Sequence, residues 1–388
     1  MILYLSFKII IGINHFLFIY IDNKRLPASI LKVKFQDISV ILSSVLERYQ
    51  SHAPLARSII SCFECVLIAQ DSVIWNSDTA KRIFQVIIIL AIDDRPKVRK
   101  RAQDAIRKIL YNPPPPSVQH PATGTVTDFC IKILKDTVNA PAKRKEKEQQ
   151  VYHVLGFLKS IIIALALQGG SERNRHKLSN LVDTLLKLPV VYAGSGNTII
   201  TQWVFQVLEV LLLAGKNDNP NVIEQVQLDV KLIDNVIHSL MNIMPNQQDI
   251  ILTPLWLNLI KQSFLRMAEL INEQESNDDM VEDAEMIHQQ QQYAYTQHPQ
   301  LLSNFIHVTF PVLMNENSKA VIFMNAAECY IDIIKNGMTK PILEQTLIQK
   351  ETPLTLMINL TGNSLGDVKY RNSWGSILLI IEALFDVS

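Results

Sequence analysis

The stretch Asp93-Asp94-Arg95-Pro96-Lys97-Val98-Arg99-Lys100-Arg101-Ala102-Gln103-Asp104-Ala105-Ile106-Arg107-Lys108-Ile109-Leu110 decides the fold class. Pro96 suits a first helical position, because the N–H it lacks would have no intrahelical partner there. Behind it Val98, Ala102, Ala105 and Ile109 recur at helical spacing, and Ile106 and Leu110 widen the stripe. The small alanines leave room for a close neighbour. The segment predicts one amphipathic helix over 96–111 whose apolar face needs a cover.

The same periodicity runs outward in both directions. It predicts further helices at 35–49, 54–71, 78–92, 122–138, 148–168, 174–188, 198–214, 221–244, 247–272, 299–314, 318–336, 341–350 and 367–386. Ser77-Asp78 supplies a start signal, and Gly169-Gly170, Gly215 and Gly337 supply stops. The β-branched run Val86-Ile87-Ile88-Ile89 sits inside a longer helical pattern, so it does not make a strand. Short connections between successive helices give antiparallel neighbours, and a long row of them stacks as an all-α solenoid of helix pairs.

Composition agrees. The chain has 388 residues, 48% hydrophobic and 19% charged, with 12 glycines. A compact core stops growing near roughly 250–300 residues, which favours a repeat array. Residues 31–388 are expected to form one such solenoid. Exposed linkers are expected at 112–121, around four consecutive prolines, and at 139–148, a charged run. An acidic and glutamine-rich insertion at 273–297 is expected to be disordered. Met1–Ile21 is nearly all apolar and could serve as a signal or anchor, though no small-residue cleavage site follows it. Residues 1–30 are expected to lie outside the fold.

Catalytic patterns fail one by one. The sequence holds no phosphate-cradling Gly-x-x-x-x-Gly-Lys-Ser/Thr and no His-Glu-x-x-His. Gly194-Ser195-Gly196 lacks both the third glycine of a dinucleotide site and the spacing of a nucleophile elbow, so it reads as a turn. Cys62-Phe63-Glu64-Cys65 has no second ligand pair of matching spacing and sits mid-helix among apolar residues. Both thiols read as small buried hydrophobes. Four cysteines in a chain this long point to a reducing compartment. No enzyme, cofactor, metal or small-molecule substrate is expected.

Charge is informative only locally, since Lys+Arg and Asp+Glu are equal at 37. Arg95, Lys97, Arg99, Lys100, Arg101, Arg107 and Lys108 face a single acid, Asp104, within one helix, and Lys143, Arg144, Lys145 and Lys147 add a second run. Such a cluster is either a solvated face or a surface for phosphate backbones.

An aspartate, then Val-Arg five and six positions on, then spaced alanines and a final leucine, resembles the second helix of a HEAT repeat. That likeness makes Asp93 and Arg99 candidates for a structural ladder between repeats. Arg95 to Ala102, the proline run, His120-Pro121-Ala122, Ala53-Pro54-Leu55, Leu67 to Asp71, Trp75-Asn76 and Asp128-Phe129-Cys130 together resemble the family called ribosomal RNA-processing protein twelve. The match is strongest over about 50–135 and weaker to the C-terminus, and residues 1–30 match nothing in it. The resemblance implies a nuclear and nucleolar scaffold that supports ribosomal-RNA processing and export of subunits. Its partners would be pre-ribosomal particles, RNA and protein together, and nuclear transport factors, with no membrane. Family members are much longer, so the chain would be an internal portion of one. The RNA-contacting set would be Arg95, Lys97, Lys100, Arg101, Arg107, Lys108, Lys143, Arg144 and Lys145. The rival reading is a cargo or adaptor solenoid that binds only proteins.

Overall fold

The computed structural model describes residues 27–139, 144–167, 171–193, 198–214, 226, 228–246, 249–278, 320–337 and 374–387, with a few positions between 362 and 371. Among them are fourteen α-helices and one isolated antiparallel bridge, Leu167 to Val226. The helices are α1 (Ala28–Val33), α2 (Phe35–Arg48), α3 (Ala53–Ile68), α4 (Ser72–Trp75), α5 (Asp78–Leu90), α6 (Pro96–Leu110) and α7 (Thr123–Val138). They continue as α8 (Arg144–Ala166), α9 (Glu172–Tyr192), α10 (Thr198–Leu213), α11 (Val230–Asn242), α12 (Leu252–Asp278), α13 (Ala320–Gly337) and α14 (Trp374–Val387).

Local chemistry explains the starts. Side chains of His52, Asp71, Ser77 and Asp229 each accept a hydrogen bond from an otherwise orphaned amide of the first turn of α3, α4, α5 and α11. Periodicity then decides what each helix buries. In α6 the predicted stripe is the core: Val98, Ala102, Ala105, Ile106 and Ile109 are fully buried and Leu110 nearly so. Each large member of that stripe contributes roughly 1.5–3 kcal/mol of burial.

The chain divides into two compact units, Met1–Thr184 with Ala214–Gln227, and Leu185–Leu213 with Leu228–Ser388. In the first, α2 packs on α3, α5 on α6 and α7 on α8. The second members of these pairs also pack on one another: among the described helices α6 and α3 share the most extensive contact, and α6 also lies against α8. This is the all-α solenoid arrangement of HEAT-like helix pairs, with α3, α6 and α8 as one layer. In the second unit α12 packs against α10, α11 and α13, and α13 against α14. Trp256, wholly buried in α12, donates its indole N–H to the Leu240 carbonyl at 2.8 Å.

Several expectations need correction. Residues 28–30 begin a helix rather than lie outside the fold, and Gln70 donates to the Leu31 carbonyl at 3.4 Å. The expected linker at 112–121 is folded down: Pro114, Gln119 and His120 are buried. Gln119 donates to the Leu165 carbonyl at 3.1 Å and accepts from Asn174 at 2.7 Å, while His120 stacks edge-on to Trp75. At 139–148 the charged run is mostly helical, because α8 starts at Arg144. Helix α12 continues through Asp278, taking in the first residues of the 273–297 segment. Residues 1–26, 194–197, 279–319 and 338–361 lie outside the described residues, and with them the apolar N-terminus, the Gly194–Gly196 turn and the helices expected at 299–314 and 341–350.

Helix α8 holds a stretch, Lys147–Ala166, long and apolar enough to cross a membrane, but 61% of that window is buried inside the protein. Its packing on α6 and α7 accounts for the composition.

Candidate nucleic-acid interface

The layer of α3, α6 and α8 is charged unlike its partners. From the described side chains, α3, α6 and α8 carry nine lysines and arginines against three acids, whereas α2, α5 and α7 carry five of each. Within these helix pairs of the first unit the excess positive charge thus lies on one layer.

The seven cations of the 95–108 segment do different jobs. Arg95 grips Asp93 with two parallel contacts of 2.8 Å and donates to the Gln50 carbonyl at 2.6 Å, tying two inter-helix turns together. The guanidinium holds the Asp93 carboxyl below its ordinary range, and the Arg95 pKa is raised by the same bond. Arg99 donates to the backbone carbonyls of Asp93 at 2.7 Å and Asp94 at 3.3 Å. The expected side-chain ladder from Asp93 to Arg99 is therefore corrected: Arg95 takes the carboxylate, and Arg99 caps the turn.

Arg101 and Lys108 point along the seam with α3. Arg101 lies 2.6 Å and Lys108 3.1 Å from the carboxylate of Glu64, and Arg101 also donates to the Ser61 hydroxyl at 2.7 Å. Glu64 is buried, so its charge needs both partners. Sequence reasoning passed over Glu64. The available signal was an acid inside a helical run, Ile59 to Leu67, that is apolar apart from Ser61, a setting that demands a counter-charge.

Lys97, Lys100 and Arg107 are left for solvent. All three are exposed; Lys97 and Lys100 make no ion pair among the described residues, and Arg107 has a loose one with Asp104 at 3.8 Å. They form a stripe on the open side of α6. Lys143 lies outside the described residues, and Arg144 and Lys145 sit on the first turn of α8 with undescribed side chains. Lys147 of the same run donates to the Asp136 carbonyl at 3.4 Å.

On its α8 side, α6 meets His153. This ring accepts from Gln149 at 3.1 Å and stands 3.3 Å from the Ile92 carbonyl, a pattern that fits a neutral ring protonated at Nδ1. Burial and the nearby Arg99 charge lower its pKa. Cys62 is buried mid-helix, and no group of three metal-ligating side chains occurs among the described residues.

A family model described as RRP12-like, N-terminal HEAT repeats matches residues 8–219, so its match begins inside the segment expected to match nothing. The chain is 28% identical over 249 residues to ribosomal RNA-processing protein 12 of Saccharomyces cerevisiae, covering 60% of the chain and 19% of that relative. It is 24% identical over 265 residues to the RRP12-like protein of Drosophila melanogaster, covering 63% and 17%. Against the human RRP12-like protein the figures are 20% over 255 residues, with 64% and 18% covered. The chain thus spans less than a fifth of the length of these relatives.

Proposed function

The chain belongs to the RRP12-like family, through that family's N-terminal HEAT repeats, and on that premise we propose that it is a non-enzymatic scaffold of ribosomal-RNA processing. It works in the nucleus and nucleolus, binds pre-ribosomal particles and supports export of subunits together with nuclear transport factors. Its RNA contact is the open face of the α3–α6–α8 layer. One observation carries this reading: Lys97, Lys100 and Arg107 stand exposed on one stripe, while neighbouring cations are tied to Asp93 and Glu64. Among the described residues Lys97 and Lys100 make no ion pair and Arg107 only a loose one, which leaves the stripe available to a phosphate backbone.

Arg95, Arg101 and Lys108 are better regarded as structural, so the test leaves them intact. Lys97→Gln, Lys100→Gln and Arg107→Gln combined should weaken binding of single-stranded RNA about equally across sequences. The salt dependence should flatten by roughly one unit of slope for each phosphate no longer neutralised. Wild-type binding that is weak and salt-independent would instead favour a protein-only adaptor.

A further inference from the structure

We propose that the α3–α6 seam ends in a phosphate-binding notch in which Arg57, on α3, grips an RNA phosphate together with Lys97. The proposal rests on the RNA reading above and deepens it by adding a site on a second helix.

The seam has a readable register. Ser61 and Glu64 of α3 meet Arg101 and Lys108 of α6, so the two helices run parallel. Residues four apart share a helical face. Arg57 therefore precedes Ser61 on the seam-facing stripe of α3, and Lys97, at the seam-side edge of the open stripe, precedes Arg101 on α6. That register puts the two cations at one level of the seam, a turn beyond Ser61 and Arg101 towards the common N-terminal end. Acids satisfy the other end of the seam, where Glu64 takes Arg101 and Lys108. Among the described residues no acid forms an ion pair with Arg57 or Lys97, and the nearby Asp93 carboxylate is held by Arg95.

Arg57 is half-buried, its Nε is inaccessible to solvent, and its guanidinium has no hydrogen-bond or ion-pair partner among the described residues. Sheltering a charge without a counter-charge is costly. Lys97 adds to the cost, because it is the second residue of its helix, where the dipole disfavours positive charge and favours an anion. A bridging phosphate relieves both terms. A phosphodiester is the fitting ligand, since its two free oxygens match a guanidinium fork on one side and an ammonium on the other. Exposed Lys100 adjoins the notch and leads to the stripe at Arg107, giving a backbone a continuous path.

The experiment uses the full chain and a mixed-sequence single-stranded RNA, with affinity measured across a salt series. Arg57→Gln and Lys97→Gln should each weaken binding several-fold. The double variant should flatten the salt dependence by roughly one unit, as for one phosphate set free and not two. Their effects should therefore be less than multiplicative. Arg57→Lys should recover part of the affinity, which separates missing charge from missing packing, and circular dichroism checks each variant. Lys81→Gln with Arg82→Gln on α5 should change nothing. An unchanged affinity and slope in the folded double variant would overturn the notch, even if Lys100→Gln with Arg107→Gln still weakens binding. If the wild type itself binds no RNA, both the notch and the underlying RNA reading fail.

Discussion

Glu64 and its two cations show how a residue's role departs from its residue type. Arg101 carries the same charge as Lys100, yet its guanidinium neutralises a buried carboxylate, while Lys100 is exposed and unpaired among the described residues. Arg101→Gln should destabilise the fold by about 2 kcal/mol, because the Glu64 charge is deprived of its nearer partner. Lys100→Gln should stay within about 0.5 kcal/mol of wild type. Adding Glu64→Gln to Arg101→Gln should recover part of the loss, since the orphaned charge goes too. Urea denaturation of the four proteins checks this, and equal costs at positions 100 and 101 would refute it. The buried histidines give a second residue-scale test. Burial lowers the His120 pKa to about 4 from an ordinary 6.5, and His153 is lowered too. Both rings are neutral in the fold, so the unfolded chain binds more protons between these values. Their stabilising contribution is intact above about pH 6.5 and is lost as pH falls towards 4. For His120 the loss amounts to about 3 kcal/mol. His120→Asn keeps an acceptor for the Ala122 amide, which His120 Nδ1 serves at 3.1 Å. It should be less stable at neutral pH but show a shallower acid limb in thermal melts.

At the scale of elements, alanine spacing in α6 is what lets α3 approach. Ala102 and Ala105 are fully buried on the face that carries the most extensive packing in the molecule. Ala102→Leu should cost about 1–3 kcal/mol through overpacking, whereas Gln85→Leu on the exposed side of α5 should cost little. Helix positions were largely legible from such spacing: α2, α5, α6, α7 and α10 fall within two residues of their predicted bounds at each end. The misses have physical causes. Helix α9 runs through Pro189 to Tyr192, because burial of Leu188 and Tyr192 outweighs the missing N–H. The proline-rich linker was expected in solvent, yet Gln119 and His120 are held by partners more than 40 positions away in sequence. The cationic cluster was legible as a composition. Its division into tied and free charges was not, because that depends on which acid lies across the seam.

For the whole molecule, zero net charge conceals a local imbalance: in the first unit a basic layer is backed by a neutral one. On the proposed function, the basic layer is the face that meets phosphate. The expectation of a single array across 31–388 is carried forward as a proposal, with the acidic and glutamine-rich insertion as a dispensable part of it. Deleting 279–297 should leave helix content and the urea midpoint unchanged, and a deletion that unfolds the chain would refute that. The central claim, that the open face of α6 lies on RNA, is tested most directly by photo-crosslinking the chain to RNA in isolated pre-ribosomal particles and mapping the linked peptides. Crosslinks should fall within 96–110 and on adjoining α3. Crosslinks confined to α2, α5 or α7, or a 96–110 segment linked only to protein, would contradict the account.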